Sequence, residues 1–438
     1  MKRTYNPAVL TRLQRLSQQS LSAVLIAMAL LSAASAQPAS PPAAEAPRTA
    51  SPSLPRSNEI TFARIFEATL QHMPETLVST ALQQQAQSQT TLGRRWISGA
   101  PALEATVVDD GLMSDRGLQE WEAGVAVDLW RPGERRAAQA AGTAYHQRSA
   151  AWDNYLHWLT AGRIRDALAD LERADLQLAA AHAAREQARR LLDTTRTLQA
   201  AGAVSRLEVL QAESQWLQHD RHILDAHATL ADAEQRYAML TGLSVRPDTT
   251  HQEATASMSS IPPQHPLLQL HDSELRISEA AISEAERVAR GSPSLSVGLR
   301  RERGGWGEPH IDSVGVSVSV PLASRSVVSA GTAQARTERS NAELARVLAM
   351  RDLTTQLQEA RRALTAVDNG LHLAQREYEV NQQQWEMAQT AFSVGEIDLT
   401  DVILALQRAQ ASEYALAALR LRHHHLAAQY NQIIGVLP

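Results

Sequence analysis

The sequence predicts a mainly α-helical protein with a small β part, in two tandem repeats of a long coiled-coil helical hairpin, each repeat carrying a pair of strands. Three observations predict this. Two runs of more than 60 residues (Glu134–Ala201 and Ser324–Val394) contain no Pro and almost no Gly. Four short segments alternate apolar and small or polar residues with period two. The chain also matches itself, in order, at a shift of about 190 residues.

The internal matches define the plan. Gly99-Ala100-Pro101-Ala102-Leu103 returns as Gly291-Ser292-Pro293-Ser294-Leu295, and Gly124-Val125-Ala126-Val127 as Gly315-Val316-Ser317-Val318. Ala141-Gly142-Thr143-Ala144 returns unchanged as Ala330-Gly331-Thr332-Ala333. Glu208-Val209-Leu210, after Gly202, returns as Asp401-Val402-Ile403, after Gly395, and Tyr237 with Gly242 as Tyr430 with Gly435. The expected organisation is repeat 1 over 58–242, a Ser/Thr/Pro-rich linker over 243–263, and repeat 2 over 264–438.

At the N-terminus, Lys2, Arg3, Arg12 and Arg15 precede an apolar stretch from Leu21 to Leu31 and a small-residue cleavage pattern, Ala34-Ser35-Ala36. This is a secretory signal peptide over 1–36. The Pro/Ala/Ser-rich segment 37–57 reads as a disordered linker. A short helical turn from about Thr61 leads into a first helix opening at Pro74, and its counterpart opens at Pro266, since Pro suits the first helical position.

Strands follow at 101–108 and 121–130, and again at 294–301 and 312–321. Val314, Val316, Val318 and Val320 alternate with Gly315, Ser317 and Ser319, and Leu103, Ala105 and Val107 alternate with Glu104 and Thr106. One face of each strand is apolar and the other polar. That pattern fits either soluble hairpins or the lipid-out, polar-in strands of an outer-membrane barrel. Trp121, Trp130 and Trp306 are the aromatic residues near these segments.

A helix of nearly 70 residues is about 100 Å long at ~1.5 Å per residue, a length that calls for a coiled coil or bundle. In the shorter helix after Ser205, Val209, Trp216, Ile223, Leu230 and Tyr237 recur every seven residues, flanked by Leu210, Leu217, Leu224, Ala231 and Ala238. All ten are expected on one seam. The chain reverses at Gly202 and Gly395, where Gly permits a left-handed helix stop, and Ser205 and Asp398 stand at the next N-caps.

Composition excludes several classes. There is no Cys, hence no disulfide scaffold, Cys–zinc site, iron–sulfur cluster, thiol catalysis or lipid-anchor Cys. With 42 basic and 47 acidic residues the charge is −5, and no nucleic-acid motif accompanies it. No catalytic motif is present, and no enzyme activity or cofactor is expected. His423-His424-His425 point about 100° apart on a helix, so they are not expected to chelate one ion. His219 and His222 have i, i+3 spacing but no third ligand on their face, so no metal site is expected there.

The turn sequences Phe392-Ser393-Val394-Gly395-Glu396-Ile397-Asp398-Leu399-Thr400-Asp401-Val402-Ile403 and Leu198-Gln199-Ala200-Ala201-Gly202-Ala203-Val204-Ser205-Arg206-Leu207-Glu208-Val209-Leu210 resemble the tips of the TolC-like outer-membrane efflux proteins, whose tips read aromatic-x-Val-Gly and then Asp-Val-Leu. The first tip departs from it, with Gln199 for the aromatic and Ala201 for Val. The segment Arg131-Pro132-Gly133-Glu134-Arg135-Arg136 is similar to the CzcC-like heavy-metal branch.

This resemblance implies a homotrimer whose strands close a 12-stranded barrel in the bacterial outer membrane and whose helices form a periplasmic tunnel. The implied activity is passive export, of metal cations or small toxic compounds, in a tripartite system. Its partners would be outer-membrane lipid, a periplasmic adaptor (a membrane fusion protein) and an inner-membrane transporter of the RND type, with no nucleic acid. Ala201, Gly202, Ala203, Phe392, Val394, Gly395 and Glu396 are the implied adaptor contacts. Glu208 and Asp401 are the implied acidic ring at the tunnel mouth, or else solvated acids favoured by the helix dipole. The competing reading is a soluble periplasmic coiled-coil adaptor or structural protein. A periplasmic metal-binding protein is a further one.

Overall fold

The computed structural model describes residues 53–248 and 252–438. The signal peptide and most of the 37–57 segment lie outside the described residues.

The elements run β1 (Arg56–Ser57), α1 (Phe62–His72), α2 (Thr76–Arg94), β2 (Ala102–Asp109), β3 (Gln119–Asp128), α3 (Glu134–Ala200), α4 (Arg206–Thr241), β4 (Arg246–Pro247), α5 (Pro266–Arg290), β5 (Ser294–Arg303), β6 (Ile311–Ser319), α6 (Arg325–Ser393) and α7 (Leu399–Ile433). Strand β3 begins and ends two residues before the expected 121–130, and β6 stops at Ser319 because Pro321 follows. Among the described residues no helix is long and apolar enough to cross a membrane.

Helices α3 and α6, of 67 and 69 residues, form the frame. Helix α3 touches α2 and α5 in its strand-side half and α4 and α7 in its other half, while α6 touches α5 and α7. The layer therefore reads α2–α3–α5–α6 near the strands and α4–α3–α7–α6 near the turns. Its two edges are α2 with α4 on one side and α6 on the other.

Three apolar clusters fill the layer. One gathers Ile65, Ile164, Leu168, Leu230 and Tyr237 where α1, α3 and α4 meet. Another joins Leu268, Leu353, Leu357, Tyr430 and Ile434 of α5, α6 and α7's end. The third lies under both Gly turns.

The seam of α4 differs from expectation. Val209, Ile223, Leu230 and Tyr237 are buried, and their partners are Ala212, Ala226 and Ala233, three residues on. Leu210, Leu217 and Leu224 stay 49%, 53% and 68% exposed. Adjacent helix positions lie about 100° apart, so only one of the two columns faces α3, and small Ala residues complete that face.

The ends of the expected linkers are ordered. Arg56 and Ser57 pair in parallel with Arg246 and Pro247. The Arg246 side chain is 4% exposed and is held by Asp175 at 2.6 Å and Glu234 at 3.0 Å. Buried guanidinium and carboxylates neutralise one another, which fastens this stretch to α3 and α4.

Candidate functional site

The two Gly turns lie at the end of the helices remote from the strands. Each is a Schellman stop. The Ala203 N–H donates to the Leu198 carbonyl at 2.9 Å and that of Gly202 to Gln199 at 3.0 Å; Glu396 donates to Ala391 and Gly395 to Phe392 at the same distances. Gly202 and Gly395 have φ of 76° and 81°, and a Cβ at either would meet nothing within 4 Å. Conformation alone therefore demands glycine there, and any added side chain would project outward.

Ala201, Gly202, Ala203, Val394, Gly395 and Glu396 are exposed at the turns, and Val394 is 67% exposed. Phe392 is a correction to the expected contact surface: it is 2% exposed. It packs with Leu191, Leu192, Val209, Leu399, Val402 and Leu406, so that with Phe392 itself the cluster draws on all four helices of the turn region. Its counterpart Gln199 is exposed, so only the second repeat supplies a buried aromatic at this position beneath the turns. Period and spacing cannot distinguish a contact aromatic from a core one.

Glu208 is engaged locally. Its Oε2 accepts from the Ser205 N–H at 2.6 Å, and the Ser205 hydroxyl accepts from the Glu208 N–H, a capping box at the start of α4. The Ser-x-x-Glu spacing carried that signal in the sequence. Asp401, the corresponding acid of α7, is exposed, and Asp398 at that N-cap makes no side-chain capping bond.

At the other end the strands form one antiparallel sheet in the order β2-β3-β5-β6. Its register sorts the side chains. Leu103, Val125, Val297 and Val316 form one cross-strand row, Ala105, Ala123, Leu299 and Val314 the next, and Val127, Leu295 and Val318 a third on the same face. The opposite face carries Glu104, Glu122, Ser296, Arg300 and Ser317, with Ser296 and Ser317 hydroxyls 2.8 Å apart. The apolar face is uncovered: Leu103 is 89%, Leu299 68% and Val314 70% exposed.

On the polar face Gly124, Gly298 and Gly315 stand in one row. A Cβ on Gly298 would lie 2.9 Å from the Ala123 carbonyl oxygen. Glycine there lets the backbones of β3 and β5 approach closely on the polar face.

The loops joining the strands are tied to each other. The Asp110 carboxylate accepts from the Ser114 hydroxyl and from the N–H groups of Arg116, Gly117 and Leu118, which pulls its pKa below the usual carboxylate range. The Trp306 indole donates to the Asp115 carbonyl at 3.0 Å under the Arg303 guanidinium.

No family model and no curated protein matches the chain. Solved structures do. The outer membrane protein VceC of Vibrio cholerae matches with TM-score 0.69 at 16% identity over 85% of this chain and 96% of that one. The Campylobacter jejuni CmeC outer membrane channel gives 0.66 at 15%, covering 85% of each. CusC, described as forming a transmembrane channel, gives 0.66 at 15% over 90% of this chain and 99% of its own. The fold is that of the TolC-like outer-membrane efflux proteins.

Within that TolC-like fold, the segment that resembles the CzcC-like branch serves the architecture. Arg131 donates to the carbonyls of Gly291, Arg290 and Pro321. Gly133, with φ of 89°, opens α3, and Glu134 accepts from the Arg131 N–H. The His cluster is likewise distributed. His423 faces Asp368 at 3.1 Å, and His425 contacts Gln429 at 2.7 Å, with burial lowering its pKa. His219 and His222 have ring centroids 5.8 Å apart, and burial, then His222, lowers the pKa of His219. Among the described residues no group of three or more His, Asp or Glu is placed to hold a metal ion.

Proposed function

We propose that the chain is the outer-membrane channel of a tripartite efflux system, a homotrimer acting as a passive exit duct into which a periplasmic adaptor and an inner-membrane transporter of the RND type deliver substrate. The observation that carries this is the sheet: four strands with an uncovered apolar face, a polar opposite face and, among the described residues, two unpaired edges, β2 and β6. Such a sheet is stable where lipid covers the apolar face and a further strand covers each edge. Three copies would supply twelve strands.

The helical layer supports the same reading. On one edge α4 exposes Leu210, Leu217 and Leu224; on the other, α6 exposes Leu373, Val380, Met387 and Val394, at 75%, 37%, 73% and 67%. Both rows have seven-residue spacing, the period of a left-handed coiled-coil seam. Among the described residues each row lacks a partner within the chain, and the two lie on opposite edges, so the α6 row of one copy would meet the α4 row of the next. A ring closed this way is a heterologous cyclic assembly.

The exposed turns are the proposed adaptor contacts. Asp401, repeated by symmetry, is the proposed cation-attracting group at the mouth. Metal cations and small toxic compounds are the proposed cargo, with selection by the transporter. Expression with fractionation, gel filtration and planar-bilayer recording tests the reading. A trimeric, conducting protein in the outer-membrane fraction is expected. A soluble periplasmic monomer would overturn it in favour of an adaptor or spacer.

A further inference from the structure

Where the strands join the helices, the chain concentrates arginine. Arg94 and Arg95 end α2, Arg135 and Arg136 open α3, Arg290 ends α5, and Arg325 opens α6. Among the described residues Arg94, Arg95, Arg136 and Arg325 have no acidic partner, and the Arg135 guanidinium donates only to the Arg94 carbonyl. The position of Arg325 is unfavourable by itself: it is a cation at the positive end of a 69-residue helix whose first turn holds no acid.

A cavity of about 490 Å³ opens at this junction, lined by Arg131, Arg290, Arg325 and Arg336 with Leu322 and the single acid Glu286. Glu286 pairs with Arg290 at 3.2 Å. Arg131 is committed to backbone carbonyls. Arg325 and Arg336 are therefore uncompensated among the described residues. Beside the cavity, Val318, Val320 and Leu322 continue the apolar series of β6 and are 64%, 53% and 93% exposed. Positive charge directly below an apolar band is complementary to a lipid: phosphate at one level, acyl chains above it.

We propose that this junction cavity seats the phosphate of an anionic phospholipid from the periplasm-facing leaflet, with Arg325 and Arg336 as its cationic ligands and the acyl chains against Val318, Val320 and Leu322. This rests on the outer-membrane channel reading. Closure of the ring strengthens it. Strand β2 of the next copy would pair with β6 and bring α2 alongside α6. Helix α2 contains no acidic residue and ends in Arg94 and Arg95. The neighbour thus adds positive charge at the junction instead of neutralising it. The bidentate geometry of guanidinium suits a phosphate there.

The test uses the purified full-length trimer in zwitterionic detergent, titrated separately with phosphatidylglycerol, phosphatidylcholine and inorganic phosphate, and read by native mass spectrometry and thermal midpoint. Wild type is expected to retain phosphatidylglycerol about tenfold better than phosphatidylcholine, a difference of about 1.4 kcal/mol. The variant Arg325→Gln with Arg336→Gln is expected to lose that preference while remaining trimeric. Arg351→Gln with Arg362→Gln, elsewhere on α6, is expected to keep it. Equal retention of the two lipids by wild type, or an unchanged preference in the junction variant, overturns the proposal. Equal stabilisation by inorganic phosphate overturns its lipid assignment. A trimer inserted in membranes without lipid preference sinks this inference alone, whereas a chain that neither trimerises nor enters membranes sinks the channel reading beneath it.

Discussion

Arg165 of α3 grips Glu253 of the inter-repeat segment with two parallel hydrogen bonds, Nε to Oε1 and Nη2 to Oε2, both 2.7 Å, with the side chains 3% and 8% exposed. Asn431 and the Val436 carbonyl complete the network, so the segment, α3 and the C-terminus of α7 are locked together. Removing one partner strands a buried charge. Arg165→Met is expected to lower unfolding stability by about 3–5 kcal/mol, and Arg165→Met with Glu253→Met by much less. Chemical denaturation of the four proteins of the cycle checks this; additive losses would refute coupling.

His265 caps α5, its Nδ1 accepting from the Leu267 N–H at 3.2 Å, with its ring edge-on to Trp158. It is fully buried, and burial pushes its pKa down to about 4. The unfolded chain takes up that proton near pH 6.5, so stability is intact above 6.5 and falls as the pH drops from 6.5 towards 4. The loss is on the order of 3 kcal/mol at the acid end. His265→Asn, which keeps a capping acceptor, is expected to flatten that acid limb in thermal melts between pH 4 and 7.

The exposed rows on α4 and α6 predict an assembly phenotype. Leu217→Glu or Met387→Glu places a charge on a surface that is solvated in the single chain and would be covered in the proposed ring. Near-native helix content with loss of the trimer band on native gels is expected. Trimers at wild-type yield from both variants would place the seam elsewhere.

At the tip, Gly395 and Phe392 are predicted to separate contact from stability. Gly395→Ala forces a left-handed conformation on a residue with Cβ, a strain of about 1–2 kcal/mol, without any clash. A larger side chain there projects to the outside and is expected to impair export with trimers intact. Phe392→Ala opens a cavity in the shared core and is expected to cost about 3–5 kcal/mol. Export assays alongside melting curves distinguish the two.

The two acids after the Gly turns, Glu208 and Asp401, also part by role. Glu208→Gln preserves the capping box, since Gln serves at that position, so its effect on stability is expected to be small. Asp401→Asn removes an exposed charge with no capping duty and is expected to weaken block of the channel by divalent cations in planar bilayers. Unchanged block in both variants would remove these acids from the conduction path.

Fold class was legible in the sequence because its determinants are local. Period-two alternation at Val314–Val320 dictates a strand with two unlike faces, a run from Glu134 without breakers dictates a long helix, and Gly202 and Gly395 dictate where the helices stop. These depend on neighbours within a few residues, and the amino acids there carry the information directly. What a side chain meets across 100 or more residues was decided only by the tertiary structure. The α4 columns of Val209 and Leu210 are equally apolar, and packing against α3 turned the first inward and left the second for another surface. Phe392 lies beneath a turn whose residues otherwise point out. Arg165 and Arg246 bury segments that composition marks as loose linkers. In each case burial follows from the area and charge that distant elements bring to the same place, which no local pattern encodes.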